Sequence, residues 1–225
     1  MVHGDDFTFL SYDDTGRKIV EDMRAWYDLK LRAVIGDDEE DDKEVTILNR
    51  TLKHVGHGLE YCADERHEAE IRAEFGIGAG SKGLESPVEQ EVLEEGFEEN
   101  AHDPELGMAE GKRYRATAAR GNYLSLDRMD MQFAAKEACR QMAKPRQSGL
   151  GRMKRIARYL RKYPKLVWYF GRGGSDEDVI DVFSDSDWAA CKRTRKSTSG
   201  GVAAIDGGGH QTLESHTGFG GVVCG

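Results

Sequence analysis

Two adjacent carboxylates, Asp5 and Asp6, follow Gly4 inside the run Val2-His3-Gly4-Asp5-Asp6-Phe7. Enzymes that work with two metal ions hold hard divalent cations on carboxylates, and a tight turn between apolar residues presents paired acids at a strand tip. A solvated Gly-Asp-Asp turn has the same composition and needs no ligand. Asp185 is a second candidate, because Ser184-Asp185-Ser186-Asp187-Trp188 comes directly after the apolar run ending at Phe183. Metal-dependent nucleases place a carboxylate at such a strand end, and an acidic strand terminus is the plain alternative.

Phosphate contact needs clustered positive charge and hydroxyl or amide donors. The run from Cys191 to Gly201 offers Lys192, Arg193, Arg195 and Lys196 among Ser and Thr residues; it also suits a polar hairpin loop. From Leu150 to Lys162, Met153, Ile156, Ala157 and Leu160 fall on one side of a helix and Arg152, Arg155, Arg158 and Lys162 on another. That second side either contacts phosphate or is simply solvated. The net charge of -9 argues against a freestanding nucleic-acid binder, but its distribution is uneven. Glu85 to Glu110 holds ten carboxylates and no Lys or Arg, whereas Met142 to Ser175 holds ten Lys/Arg and no carboxylate.

The elements that must position these groups follow from hydrophobic spacing. Val2 and Phe7 to Leu10 predict two strands around the Gly-Asp-Asp turn. Ile19, Met23, Trp26 and Tyr27 keep a helical rhythm, which predicts a helix from Thr15 to about Asp28. Leu29 to Ile35, Val45 to Leu52 and Leu59 to Tyr61 read as strands, and Asp64 caps a helix running through Phe75. Residues 76–110, Gly/Ser-rich and then acidic, predict a mobile linker. Three helices follow over residues 112–162. Beyond Pro164, Leu166 to Phe170, Val179 to Phe183, Gly201 to Ile205 and His210 to Leu213 predict strands of a second sheet, so the fold class is α+β.

Other constellations carry less. Gly76 to Gly83 follows a helix rather than a strand and lacks the Gly-Lys-Ser/Thr ending of a phosphate loop, so a flexible linker is the better account. His54, His57 and His67 meet no zinc-site spacing, and Asp37 to Asp42 lacks the alternating ligands and later Glu of a calcium loop. The four cysteines, Cys62, Cys139, Cys191 and Cys224, form no CxxC pair and suggest reduced thiols. No apolar run approaches a membrane span, and no basic-then-apolar leader follows Met1. The expectation is an intracellular protein, cytoplasmic or nuclear, without a membrane partner.

Taken together, these segments resemble the Pol polyprotein of copia-type retrotransposons. Residues 184–205, from Ser184-Asp185-Ser186-Asp187-Trp188 through Lys196-Ser197-Thr198-Ser199-Gly200-Gly201 to Ile205, look like the opening of that family's RNase H domain. Tyr114-Arg115-Ala116, Asn122-Tyr123-Leu124-Ser125, Asp127-Arg128-Met129-Asp130 and Met142-Ala143-Lys144-Pro145 are similar to its helical connection, and Trp168-Tyr169-Phe170 to the strand beyond. Val2 to Phe7 then aligns with the catalytic Tyr-Val-Asp-Asp turn, although His3-Gly4 replaces Tyr-Val. Leu48-Asn49-Arg50 stands where the family has Leu-Gly, Gly121 where it has leucine, and the likeness stops after Leu213.

The resemblance implies a partial polymerase palm with a thumb-like region, followed by a truncated RNase H-like β-sheet. Its parts are residues 1–75 (palm with the Asp-Asp turn), 76–110 (acidic linker), 111–163 (thumb-like helical connection) and 164–225 (RNase H-like). It implies Mg2+ on Asp5, Asp6 and Asp185 as catalytic metal ligands. Lys192, Arg193, Arg195, Lys196 and the α-helical cations named above become contacts to an RNA–DNA hybrid or other nucleic acid. Two-metal chemistry needs further carboxylates, and the family carries them upstream of the Asp-Asp turn and in a later helix. The expected function is a polyprotein fragment related to reverse transcriptase and RNase H that is catalytically incomplete alone and works with the rest of the polyprotein. The alternative is a non-catalytic nucleic-acid-binding remnant acting through residues 150–162.

Overall fold

The computed structural model describes residues 2–56, 58–88, 103–171, 180–188, 195–205 and 210–214, and the chain divides into two units, Met1–Val45 and Thr46–Gly225. In the first unit β1 (Val2–His3) and β2 (Asp6–Phe7) pair antiparallel with His3 opposite Asp6. Gly4 supplies the positive φ of 63° that so tight a hairpin requires. Helix α1 (Asp13–Arg24) carries Asp13 and Asp14 in its first turn and Arg24 in its last, each matched to the helix dipole.

Leu29 to Ile35, expected as a strand, is irregular. It has no neighbouring strand to pair with among the described residues and closes instead on an acidic loop, where Val34 and Asp42 exchange bonds and the Lys43 amine donates to the carbonyls of Gly36 and Asp38. Among this unit's described residues Val20 is the one buried hydrophobic side chain, while Leu10, Tyr12 and Trp26 are exposed.

The second unit holds an antiparallel sheet in the order β3 (Glu44–Ile47), β4 (Arg50–Val55), β5 (Gly58–Cys62), β6 (Lys165–Gly171), β9 (His210–Glu214). Strand β3 begins just before the unit boundary. Val45 to Leu52 is thus two strands, not one. Leu48 and Asn49 form the turn with φ of 50° and 63°, the pattern of a type I′ hairpin. Sequence spacing hid this turn because neither position is Gly. Register places Tyr61 opposite Trp168 and Gly58 opposite Gly171. A Cβ on Gly58 would stand 2.5 Å from the Phe170 carbonyl oxygen, so only glycine fits there.

The sheet expected over residues 164–225 is divided. Strand β6 joins β5 and β9, whereas β7 (Ile180–Ser186) and β8 (Ser199–Ile205) pair only with each other in the described structure. Leu166 and Val167 are buried and the Trp168 indole donates to the Asp127 carbonyl at 3.0 Å, which ties β6 to the helices rather than to β7.

The helices are α2 (Glu65–Glu74), α3 (Met108–Leu124), α4 (Gln132–Cys139) and α5 (Gln147–Lys162), with a short 3-10 turn at Met129–Met131 before α4. Asp64 caps α2 as its sequence position implies, accepting from the Arg66 amide at 3.0 Å. Met153, Ile156, Ala157 and Leu160 of α5 are fully buried against Ile71, Tyr114, Ala118, Met131 and Ala138. The Tyr114 hydroxyl donates to the Ala138 carbonyl at 2.6 Å, and burial pushes this phenol up to about 12. A Cβ on Gly121 would lie 3.8 Å from the Met153 methyl, an ordinary contact, so packing here does not require glycine.

Candidate nucleic-acid interface

Helix α5 places its apolar stripe in the core, which leaves its cations along the outer side. That side is occupied. Arg158 Nε donates to the Lys82 carbonyl at 2.9 Å, and Arg161 Nε to the Gly78 carbonyl at 3.0 Å. Lys162 pairs with Glu85, whose second oxygen accepts from the Tyr163 hydroxyl at 2.6 Å. The Leu84 amide closes the arrangement by donating to the Arg158 carbonyl. Arg152 and Arg155 are half-buried and also partnered. The basic side read as open from sequence is therefore covered in part by residues 78–85, because a Gly-rich backbone can bring its carbonyls close to guanidinium groups.

The same contacts show in the ionisation of the groups. The Lys162 ammonium and then the Tyr163 hydroxyl hold the Glu85 carboxyl below its ordinary value, while Glu85 raises both Lys162 and Tyr163. At the other end of α5, Asp103 accepts from the Ser148 amide at 2.8 Å and the Ser148 hydroxyl at 2.7 Å, and the Gln147 amide donates to Pro104. Asp103 thus caps a helix whose own Arg146 offers no side-chain cap. The expected linker 76–110 is described at its two ends, 76–88 and 103–110, and both ends lie on or beside α5; its middle, 89–102, falls outside the described residues.

The run 126–130 is a hub that motif reading did not assign. Asp127 accepts from Arg50 Nε at 2.9 Å and from the Tyr61 hydroxyl at 2.6 Å, and its carbonyl takes the Trp168 indole, so one residue ties β4, β5 and β6. Burial, and then the bond to Asp127, raise the Tyr61 phenol. Arg50 lies 5.7 Å above the Tyr123 ring, which also packs on His67. Arg128 is 1% exposed; its guanidinium grips Asp130 and the carbonyls of Tyr163 and Pro164 just past α5. Asp130 in turn accepts from the Tyr159 hydroxyl at 2.7 Å. The available signal was an arginine flanked by two acids in the connection between two helices, a composition that survives burial only when paired.

The expected metal ligands belong to two different units of the chain. Asp5 is exposed on its turn, Asp6 pairs with Arg32 at 3.6 Å, and both belong to the first unit. Asp185, in the second unit, is exposed on β7 opposite Gly200 and accepts from the Ser186 amide at 2.9 Å. Asp187 instead closes the hairpin, accepting from the Thr198 amide at 2.8 Å. Mg2+ takes about six oxygen ligands in octahedral array. Among the described residues no group of three or more His, Cys, Asp or Glu side chains could hold a metal. Mg2+ keeps several waters and is held by one or two carboxylates plus substrate phosphates, and no step through a metal follows from the described geometry. Arg195 and Lys196 are exposed beside the β7–β8 hairpin, where Lys136 of α4 donates to the Thr198 hydroxyl at 3.1 Å; Lys192 and Arg193 lie outside the described residues.

Among known proteins, the chain is similar to the uncharacterized mitochondrial protein AtMg00810 of Arabidopsis thaliana, with 31% identity over 87 residues. That stretch is 39% of this chain and 35% of that protein, so the match spans about a third of the relative's length. No family model matches, and no solved structure matches. Among the described residues no helix is long and apolar enough to cross a membrane.

Proposed function

We propose that the chain is a piece of a copia-type retrotransposon polyprotein. It would join the downstream palm and thumb-like helices of a reverse transcriptase to the start of an RNase H domain, and would contact nucleic acid rather than catalyse when alone. The observation that carries this reading is the order of elements: an Asp-Asp hairpin, a β3–β4 hairpin, a helical bundle, and then a hairpin with Asp185 near its end. The resemblance demands the same order. Residues 1–75 correspond to palm and 111–163 to the thumb-like connection. Residues 164–225 correspond to the RNase H-like part, whose β6 pairs with β5 on one side and β9 on the other.

Nucleic-acid contact falls to α5, with Arg195 and Lys196 as additional cations. Phosphate binding requires only clustered positive charge and does not depend on a carboxylate set. Two assays test the reading. Purified chain with Mg2+, primer and template gives no extension, and extension that Asp5→Asn abolishes would overturn this. A labelled RNA–DNA hybrid binds at low salt and weakens as salt rises, with a log–log slope on the order of -3 to -4 if about four cations make contact. Binding unaffected by removal of Arg155 and Arg158 would reduce α5 to a solvated surface.

A further inference from the structure

The cations of α5 are satisfied from within the chain by groups that resemble a phosphate backbone in what they offer. Arg158 and Arg161 receive carbonyl oxygens of Lys82 and Gly78, and Lys162 receives the Glu85 carboxylate, with the Tyr163 hydroxyl on its second oxygen. The approach is close by construction. A Cβ on Gly83 would stand 2.7 Å from Lys162 Cβ and 3.3 Å from its Cα, so glycine is what lets the segment lie on the helix. The second contact of the acidic region, Asp103, sits on Ser148 at the opposite end of α5, about 21 Å away at 1.5 Å per residue.

The outer contact is nevertheless weak. The Glu85 side chain is 74% exposed, and an exposed ion pair adds little to stability. A group that is well placed yet weakly held is readily exchanged for a better anion.

We infer that residues 78–85 form a strap that competes with nucleic acid for α5, with Glu85 standing where a phosphodiester oxygen would bind. This rests on the reading that α5 contacts phosphate, and adds that the contact is autoinhibited. Displacing the strap frees Arg158, Arg161 and Lys162 together, because all three are engaged by one short segment. Affinity then depends on the state of the strap as well as on the charge of the helix.

The test uses the full chain, a labelled RNA–DNA hybrid, and the variants Glu85→Gln and Gly83→Ala at two salt concentrations. Both variants bind the hybrid about two- to fivefold tighter than the unaltered chain, and their salt slope is steeper by about 3 as three further cations meet phosphate. Gly83→Ala changes no charge, so tightening by it separates strap release from a simple loss of negative charge. If Gly83→Ala misfolds, the steeper salt slope of Glu85→Gln and the cleavage of the unaltered chain still decide the matter, since loss of one negative charge alone adds no phosphate contact. In the unaltered chain, addition of hybrid speeds cleavage after Glu85 by a Glu-specific protease. Hybrid binding that neither variant changes, or cleavage that slows on binding, overturns the strap and leaves the phosphate reading standing. No binding by any of the three at low salt overturns the phosphate reading and the strap with it.

Discussion

Replacing Arg128 by methionine should be among the most damaging single changes in the second unit. The guanidinium is almost wholly buried and makes four bonds of 2.7–3.0 Å, two to Asp130 and one each to the Tyr163 and Pro164 carbonyls. Methionine keeps most of the length and apolar volume, so the loss is mainly electrostatic. Asp130, whose side chain is 12% exposed, keeps the Tyr159 hydroxyl but loses its cation. Removing one partner of a buried pair costs about 3–5 kcal/mol, against a total stability of about 5–15 kcal/mol for a domain. With a urea slope of about 2 kcal/mol per M, the unfolding midpoint followed by far-ultraviolet circular dichroism falls by about 1.5–2.5 M. Adding Asp130→Asn recovers part of the loss, since the stranded charge goes with it. A midpoint shift below about 0.5 M for Arg128→Met would refute the hub.

Three smaller effects follow from other positions. Leu48→Asn relieves a left-handed leucine at the β3–β4 turn and stabilises the chain by about 0.5–1 kcal/mol in the same urea assay; destabilisation would show that the half-buried leucine matters more than its backbone. Asp64→Ala removes the α2 cap and costs about 1 kcal/mol. Bonds from Arg66 hold the Asp64 carboxyl below its unfolded value, so this contribution is present above the ordinary carboxylate pKa and lost as pH falls through the lowered one. The stabilities of the two proteins therefore converge in acid. By the same sign, Glu85 stays ionised and docked below the pH at which a free glutamate protonates, and the Leu84 amide resonance moves only when pH passes its depressed value; movement already near neutral pH would contradict the contact.

Periodicity located most elements of the second unit because their buried faces are continuous. Met153, Ile156, Ala157 and Leu160 announce α5, and Asp64 announces the start of α2. It failed where the decisive information was not periodic. Leu48-Asn49 turns the chain without glycine, and Leu29 to Ile35 has strand composition but no partner strand among the described residues. Pairing partners were also invisible: a strand's own residues do not say that β6 will lie beside β5, more than a hundred residues earlier, rather than beside β7. At the candidate interface, spacing put the cations on one side of α5 but could not show that carbonyl oxygens of Gly78 and Lys82 would take them, since backbone acceptors have no sequence signature.

The placement of Asp5 and Asp185 on exposed turns and edges, and of Arg128 at the centre of the bundle, separates two kinds of mutational loss. Exchanging either acid for asparagine removes few internal contacts and leaves the folded population almost unchanged. Exchanging Arg128 lowers that population whatever the chain binds. Loss of either acid therefore leaves the amount of folded chain unchanged, whereas loss of Arg128 shows in it directly. In a mutational scan, the abundance of folded chain should track position 128 and be indifferent to positions 5 and 185.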